Sequence, residues 1–543
     1  MIPAAAKTSD VLIIGGGVSG ALVAHGLALQ GIRVTLIEAG PRVDRGASVA
    51  RFQAADVKVP ESAYKLSAFS PHPVTDRIGD FYIQRGPDNF TSTYLKQLGG
   101  TTWHWLGTAV RMVPDDFVLH SQFQRGVDWP ISYNDLEPWY VLAERELGVS
   151  GSSHEPGEVS PRSAPYPLAA IPPSYLDSSL QKALAGSSYQ LTPTPQARLS
   201  ESQGGRPACC GSGSCIPVCP IQAKYDATVH LALAEKLGVQ VVTECHAVFL
   251  EVAADQKVAA VQVRFPDGSS DKISARIVVL AANAMEIPRL LLSSTSATSP
   301  KGVANSSDQV GRNLMDHPVQ LSWGLAPRPV WPYRGPLSTS GIENHRNAAW
   351  RASKPAIRFE IGNDGWNWPT GGLPDAARRF ALKGLRGAAL DKALRDEASR
   401  HFRVAALIEQ LPLAENRVTV DTDLKDGAGL RRPVIHYRHD DYVKDGLALA
   451  RQMHDEIARL AGLSQMQHAP GPFGAGHIIG TARMGKDART SVVDASLRSH
   501  DHPNLYIVGA SAFPTGATAN PTLTIAALAL RAVPDIARAV AGA

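Results

Sequence analysis

The sequence predicts an α/β protein with two domains, and three observations lead to this. The chain has 543 residues, which exceeds what one hydrophobic core normally serves. Near the N-terminus, a short apolar run is followed by a glycine-rich turn, an Ala- and Leu-rich segment and a second apolar run. Four of the five cysteines lie between positions 209 and 219, a density that indicates a metal centre beside the two domains.

The N-terminal segment contains a complete strand, glycine turn, helix, strand and acid unit. Val11–Ile14 leads into the turn Gly15–Gly20, and Arg33–Ile37 precedes Glu38. The first glycine of such a turn allows a tight bend, the second lets a pyrophosphate approach the backbone, and the third lets the helix pack on the strand. The acid takes the ribose hydroxyls. The pattern predicts a dinucleotide site, for NAD or FAD, built on Gly15, Gly17, Gly20 and Glu38.

The cysteine run has the spacing of an iron–sulfur loop. Its Cys-x3-Cys-Pro ending is how bacterial ferredoxin-type loops close. Because adjacent side chains diverge, Cys209 and Cys210 are not expected to bind one cluster, which leaves Cys209, Cys215 and Cys219 for a three-iron cluster. A pair of disulfides in an exported protein, or a zinc site with a fourth ligand or an open position, are the alternatives. Cys210 is then spare and suggests a bridge to another chain.

Bulk properties exclude several classes of protein. The 54 basic and 50 acidic side chains give a net charge of +4, which argues against a nucleic-acid or anionic-membrane footprint. There is no uninterrupted apolar stretch of spanning length, so no transmembrane helix is expected. The first ten residues have neither the basic nor the apolar region of a signal peptide. This indicates the cytoplasm, or export of the folded protein on a partner that carries the signal.

Three further segments resemble the glucose–methanol–choline (GMC) oxidoreductases, which bind FAD. They are Gly99–Trp105, Ala281–Ser294 and the stretch His477–Arg531. The resemblance implies an FAD-binding Rossmann-like domain interleaved with an α+β substrate domain. The implied division is an FAD-binding domain from residues 1–115, 222–325 and 476–543, an insertion 116–221 with the iron–sulfur loop 206–220, and a substrate domain 326–475.

Within that family, the chain is similar to the large subunits of bacterial FAD-dependent glucose, fructose and gluconate dehydrogenases. The similarity rests on the cysteine run, Ile221–Tyr225 and Val310–Pro318. It implies FAD with a cluster, most simply 3Fe-4S, on Cys209, Cys215 and Cys219. It also implies a small subunit with an export signal, which Cys210 could join by a disulfide, and a multihaem cytochrome c. The protein would then be periplasmic, with membrane association only through a partner.

The resemblance also nominates the reacting residues. His477 lies at the family's histidine-to-Gly-Thr spacing, and is expected to be the base, with a pKa near the working pH. Asn520 occupies the second family position and would hold the substrate oxygen. The implied flavin contacts are Gly15, Gly17, Gly20, Glu38, Gly100, Thr101, His104, Trp105, Val248, Gly509, Ala510, Asn520, Pro521 and Thr522. His104 either carries FAD covalently or packs beside it.

These features predict an FAD-dependent dehydrogenase that oxidises a sugar or glycoside hydroxyl by hydride transfer to flavin N5. Electrons would leave through the cluster to a cytochrome. Gly476 stands where the glucose and fructose enzymes carry asparagine, so the substrate is open between glucose, fructose, gluconate and a glycoside oxidised at C3. Trp366 and Trp368 are candidates to stack on a pyranose. An oxidase that uses O2, and a non-redox FAD protein, are the alternative functions.

Overall fold

The computed structural model describes residues 2–56, 58–67, 78–153, 159–364 and 372–542. The α-helices in these ranges are α1 (Ala4–Lys7), α2 (Val18–Ala28), α3 (Arg45–Ala54), α4 (Leu119–Phe123), α5 (Tyr133–Leu147), α6 (Tyr175–Ala183), α7 (Thr228–Lys236), α8 (Glu286–Ser293), α9 (Gly372–Leu382), α10 (Gly387–Arg400), α11 (Asp441–Ala461) and α12 (Thr522–Ala541). None of the described helices is both long and apolar enough to cross a membrane.

The strands are spread along the described chain, from residue 8 to residue 507. They are β1 (Thr8–Ile14), β2 (Val34–Ile37), β3 (Ile83–Arg85), β4 (Ser150–Gly151), β5 (Leu168–Ala169), β6 (Leu191–Pro193), β7 (Gln240–Val242), β8 (His246–Val252), β9 (Val258–Arg264), β10 (Ser270–Leu280), β11 (Pro318–Leu325), β12 (Ser340–Ile342), β13 (Ile357–Gly362), β14 (His401–Ile408), β15 (Arg417–Lys425), β16 (Arg431–His436), β17 (Ser464–His468), β18 (Phe473–Gly474) and β19 (Leu505–Ile507).

The first sheet carries the nucleotide-binding pattern. Its order is β7-β2-β1-β10-β9-β8, with β19 also paired to β10. Strands β7, β2, β1, β10 and β19 run parallel, whereas β10, β9 and β8 form an antiparallel meander. The apolar run of β1 is buried because α2 and α12 cover the sheet. The predicted α/β unit, with strands from distant parts of the chain, is confirmed.

The second sheet is antiparallel, and belongs to the α+β unit. Its order is β17-β11-β14-β13-β12-β6, with β18 also paired to β11. The long helix α11 packs on β11 and β14. The Asp440 side chain caps the start of α11 by accepting from the Val443 amide, and Gly462 ends the helix in a left-handed conformation with φ 64°. A smaller sheet joins β15, β16 and β3.

Two strand pairings bear on the predicted three-part division of the chain, which stays a prediction. Pro318–Leu325 lies in the second sheet between β17 and β14, although the predicted boundary at 325 would group it with the FAD-binding domain. Leu191–Pro193, from the predicted insertion, also pairs in that sheet. Local sequence indicates neither pairing, because the antiparallel partners lie more than 70 residues away. We therefore propose that the substrate domain begins before Pro318.

Candidate active site

A cavity of about 1200 Å³ lies between the first and the second sheet. It starts at the carboxyl end of β1, where ligands bind in open α/β sheets. Its far wall includes side chains of β11, β13 and β14. The predicted flavin-contacting residues in its wall are Gly15, Gly17, Glu38, Gly100, Thr101, His104, Trp105, Val248, Gly509, Ala510, Asn520, Pro521 and Thr522.

The glycine turn leaves room for a dinucleotide. Gly17 precedes α2, and open space surrounds a Cβ built on it, so a phosphate can reach the unpaired N–H groups of the first helical turn. Gly20 lies outside the cavity wall, where a Cβ would stand 1.9 Å from the Gly15 carbonyl oxygen. The Glu38 carboxylate accepts from the Gly16 amide at 2.8 Å and the Gly40 amide at 2.9 Å, and each oxygen retains a lone pair for a ribose hydroxyl.

The pairing of two strands brings His477 against His317. β18 pairs with the start of β11, and Met315 exchanges backbone hydrogen bonds with Ile479. His317 precedes β11 and His477 follows β18, so the two rings face each other, with their Nδ1 atoms 2.7 Å apart. The amide groups of both histidines donate to Asp316 Oδ1, at 2.7 and 2.9 Å. The backbone thereby fixes both rings.

The hydrogen bonds determine which nitrogen of His477 carries its proton. His317 Nε2 lies 3.1 Å from the Gly516 carbonyl oxygen, which can only accept, so Nε2 of His317 is the protonated nitrogen. The unprotonated Nδ1 of His317 must then accept from Nδ1–H of His477. His477 is left with a lone pair on Nε2. That nitrogen faces the cavity beside Asn520 Nδ2, at 3.4 Å.

An ion pair fixes the orientation of the Asn520 amide. Arg358 Nη1, a pure donor, lies 3.0 Å from Asn520 Oδ1 and 2.5 Å from Glu360 Oε1. Asn520 Nδ2 donates to the same Glu360 oxygen at 3.2 Å. The amide nitrogen is thus directed toward Glu360 and His477. A hydroxyl placed between His477 and Asn520 would donate to the histidine and accept from the amide.

The electrostatics correct one expectation. Burial, the neighbouring His317 and the Arg358 guanidinium hold the pKa of His477 well below its usual value, whereas a pKa near the working pH was expected. Burial also lowers the pKa of His317 to about 4. The sequence could not show this because the burial arises from the meeting of the two sheets. Both rings are neutral at neutral pH, which is the form a base requires.

The cysteine loop forms another part of the cavity wall. Ser212, Ser214 and Pro217 line the cavity, whereas the cysteines face the other side of the loop. Cys215 and Cys219 are buried, Cys209 is half-buried, and Cys210 is exposed. None of the four forms a disulfide within the described chain. The loop therefore separates the cavity from the cysteines by its own thickness.

Hydrogen-bond donors surround the cysteine sulfurs. Arg198 is buried and lies with Nη2 3.2 Å from Cys215 Sγ, and its Nε and Nη1 have no partner among the described residues. The amides of Gly211 and Lys224 point to Cys209 Sγ and Cys219 Sγ, each at 3.4 Å. A buried, incompletely paired guanidinium fits an anionic group at this place.

Lys224 connects the two sites. Its buried Nζ donates to the carbonyls of Trp103 and Trp105 at 2.9 and 2.6 Å, while its amide lies at Cys219. Trp105 lines the cavity. One residue therefore holds the cavity wall and the cysteine loop together.

Several residues of this site carry no sequence-predicted role. His317 lies in the segment Val310–Pro318, which contributes to the family resemblance but does not by itself indicate a role for His317. The charged residues of Ile357–Gly362 alternate with apolar ones, a pattern that indicates a functional strand face. The residues missed are Arg198, Lys224, Asp316, His317, Arg358 and Glu360.

Two predicted substrate features have different outcomes. Gly476 lines the cavity with φ 76°, and open space surrounds a Cβ built on it, so the cavity has room beside this residue. Trp366 and Trp368 lie outside the described residues.

The chain is similar to known proteins along nearly its full length. Residues 193–319 and 412–529 match family models described as GMC oxidoreductase, and residues 10–70 match one described as FAD dependent oxidoreductase. The chain is 36% identical over 541 residues to the fructose dehydrogenase large subunit of Gluconobacter japonicus, covering 97% of this chain and 98% of that protein. It is 25% identical to the gluconate 2-dehydrogenase flavoprotein of Pantoea cypripedii, covering 96% and 92%.

The fold is also found among solved structures. A formate oxidase of Aspergillus oryzae RIB40 aligns with a TM-score of 0.63 at 16% identity, covering 98% of both chains. The predictions of FAD, of the fold class and of an oxidoreductase that acts on CH–OH groups are confirmed. The chain belongs to the GMC oxidoreductase family.

Proposed function

We propose that this protein oxidises a hydroxyl of a sugar or glycoside, with His477 as the base. The supporting observation is the chain from Gly516 through His317 to His477, which leaves the lone pair of His477 Nε2 facing the cavity. Bound FAD supplies the hydride acceptor. Asn520 Nδ2 positions the substrate oxygen, His477 Nε2 takes the hydroxyl proton, and the substrate carbon loses its hydride as the carbonyl forms.

The proton has a defined place after transfer. Protonated His477 keeps its Nδ1–H bond to His317 and holds the new proton on Nε2, next to the Asn520 and Glu360 pair. The Glu360 carboxylate partly offsets the charge of the imidazolium. Because the pKa of His477 is low, the protonated ring readily gives up the proton once product leaves.

An anaerobic substrate panel tests this function. Sugars, polyols and glycosides are mixed with the holoenzyme, the loss of oxidised flavin absorbance is followed, and the oxidised carbon is mapped in the product. At least one sugar or glycoside should bleach the flavin in the wild type, and the His477→Ala variant should lose this. Flavin that stays oxidised with every compound would support the alternative of a non-redox FAD protein.

We further propose that the substrate differs from that of the sugar dehydrogenases that carry asparagine at the position of Gly476. It is either larger or bound differently. Glucose, fructose, gluconate and a glycoside oxidised at C3 all remain candidates. The open space at Gly476 supports a glycoside. A Gly476→Asn variant should lower kcat/KM for a glycoside more than for the free sugar, since its side chain enters the cavity. An equal effect on both would favour oxidation of a free sugar.

For the electron exit, we propose an iron–sulfur cluster on Cys209, Cys215 and Cys219, most simply 3Fe-4S. A bound cluster supplies a one-electron site next to the flavin cavity. The support is the loop with one face on the cavity, and the donors from Arg198, Gly211 and Lys224 to the sulfurs. Such donors are typical around cluster sulfurs and tune their potential.

The spacing of the sulfurs argues against a zinc site. Tetrahedral thiolates at 2.3 Å from zinc lie about 3.8 Å apart. In the described part of the chain, the cysteines form no group of three with all ligand atoms within 4.8 Å. Iron analysis and low-temperature electron paramagnetic resonance (EPR) of the oxidised protein test this. A three-iron signal is expected, whereas stoichiometric zinc without iron would overturn the assignment.

The acceptor separates a dehydrogenase from an oxidase. Some relatives are named as dehydrogenases and others as oxidases. One of the oxidases is the paromamine 6'-oxidase of Streptomyces fradiae, which is 29% identical to this chain. We propose a dehydrogenase whose electrons pass to a cytochrome c-type partner. Turnover with dye acceptors but with negligible peroxide is expected, and stoichiometric peroxide would show an oxidase.

We propose a small subunit that carries an export signal, which would place the complex in the periplasm rather than the cytoplasm. The exposure of Cys210 supports a disulfide between its thiol and this subunit. Co-expression with a candidate small subunit, followed by non-reducing electrophoresis, tests this. The wild type should migrate as a disulfide-linked complex and Cys210→Ser as separate chains. Covalent attachment of FAD at His104 is a separate prediction. After acid precipitation, attached flavin stays with the protein pellet, whereas flavin that only packs beside His104 is released.

A further inference from the structure

A cluster of metal-ligating side chains lies away from the cavity, among α2, α5 and α7. His25 lies on α2, Glu146 on α5 and His230 on α7. Their ligand atoms all lie within 4.8 Å of one another. Among the described residues, these three form the group of potential metal ligands at such a spacing. We propose that His25, Glu146 and His230 bind a divalent transition metal of the zinc class.

The geometry needs little adjustment for a metal. His230 Nε2 and Glu146 Oε2 are 2.9 Å apart, and the rings of His25 and His230 meet edge to face with centroids 5.2 Å apart. Ligand atoms at 2.0–2.2 Å from tetrahedral zinc lie about 3.4 Å apart. A side-chain movement of His25 on the order of 1 Å completes a His2Glu set. The fourth position is open to water.

A partner outside the ligand set orients the central histidine. Tyr225 is fully buried, and its hydroxyl lies 2.9 Å from His230 Nδ1. With the proton of His230 on Nδ1, this nitrogen donates to the hydroxyl oxygen and Nε2 presents its lone pair to the metal. The indole Nε1 of Trp105 donates to the Tyr225 carbonyl at 2.7 Å, which fixes the backbone of Tyr225.

The tautomer of His230 changes when a metal binds. Without a metal, Nε2–H of His230 donates to the Glu146 carboxylate at 2.9 Å, and Nδ1 accepts from the Tyr225 hydroxyl. With a metal on Nε2, the proton lies on Nδ1 and the Tyr225 hydroxyl oxygen accepts it. Neutral imidazole and carboxylate are the forms that bind zinc.

The position of the cluster gives the metal a structural role. α2 packs on α7, and both α2 and α5 pack on α12. A metal would tie α5 directly to the helix that follows the glycine turn. The Glu146 side chain is 33% exposed, so the metal can enter from solvent, whereas the His230 side chain is buried. This role is independent of the reaction proposed for the cavity.

Calorimetry of the full-length holoenzyme tests the site. After dialysis against a chelator, titration with Zn²⁺ should show one tight site, and its Kd should rise at least tenfold in His25→Gln, Glu146→Gln and His230→Gln. The thermal midpoint should increase with zinc in the wild type and not in these variants. Cu²⁺ in the same site should give an EPR spectrum with hyperfine coupling from two nitrogens.

The matched control is His401→Gln. His401 lies 3.4 Å from Glu397 in a comparable pair, and among the described residues this pair has no third ligand within the same spacing. It should bind zinc like the wild type. The half-buried His25 tolerates glutamine, so His25→Gln decides the question even if His230→Gln fails to fold. Unchanged affinity in His25→Gln, no zinc binding, or equal loss in the control would overturn the proposal.

Discussion

The catalytic pair and the cysteine loop are built in opposite ways. His477 and Asn520 are held by residues from distant segments, including His317 and Arg358, and each polar atom of the pair has a hydrogen-bond partner. The cysteines come from eleven consecutive residues, and two guanidinium nitrogens of the buried Arg198 beside them, Nε and Nη1, have no partner in the described structure. The first site is complete before a ligand binds, whereas the second needs a ligand to satisfy it.

This difference affects what each site tolerates. A preorganised site fails when one hydrogen bond changes direction, because the reacting atoms are then misplaced. A site completed by its ligand fails when the ligand set becomes too small, although the surrounding fold persists. Variants should therefore affect the two sites through different measurements.

The largest effect is expected from His477→Ala. Removal of the base should lower kcat/KM for the best substrate by about 10²–10⁴-fold. Flavin content, measured by absorbance after denaturation, should stay near that of the wild type. Rates come from anaerobic stopped-flow reduction of the flavin.

The control for this variant is His120→Ala, which removes an exposed histidine remote from the cavity. It should reduce the flavin at the wild-type rate. If His477→Ala retains more than a tenth of the wild-type rate, another group is the base. The tautomers assigned to His317 and His477 would then not explain proton removal from the substrate.

A Cys215→Ser variant should separate the two sites. Loss of one buried ligand should abolish the cluster EPR signal and slow electron delivery to a one-electron acceptor such as ferricyanide or cytochrome c, by roughly tenfold or more. Flavin reduction by substrate should persist, since the catalytic pair shares none of these residues. Cys210→Ser is the matched control and should keep the signal. Equal loss of the signal in both variants would show that Cys210 is a ligand.

The two sites also differ in how far the sequence predicts them. The glycine turn, Glu38 and the cysteine spacing are local patterns, and each lies at the cavity or the loop as the pattern suggests. The role of His317 depends on the pairing of β11 with β18, which joins segments more than 150 residues apart. Strand pairing, burial and the resulting pKa of His477 are tertiary properties that no local pattern contains.

A smaller effect is expected from variants of the positioning residue His317. Phenylalanine cannot accept the Nδ1–H bond of His477, so His317→Phe should free the imidazole to adopt the wrong tautomer. We expect kcat to fall by about 10–100-fold, with KM nearly unchanged, since the ring does not need to touch substrate. His317→Gln keeps an accepting oxygen and should recover part of the loss. If Gln and Phe variants are equally slow, packing and not tautomer control explains the role of His317.

The smallest effect concerns stability, and it tests whether buried neutral histidines outside both sites make the fold sensitive to acid. Burial lowers the pKa of His454 to about 3, while its unfolded value is near 6.5. Between these values the unfolded chain binds the extra proton, so stability falls as the pH decreases, by about 1.4 kcal/mol per pH unit for one such group. His454→Asn should therefore show a shallower loss of unfolding free energy between pH 6.5 and 4.5 than the wild type.

His120→Asn serves as the exposed control and should keep the wild-type slope, with both measured by urea denaturation at each pH. The same reasoning applies to His317, whose pKa is lowered to about 4, so the catalytic region itself adds to the acid sensitivity. Equal slopes for the wild type and His454→Asn between pH 6.5 and 4.5 would contradict the role assigned to His454.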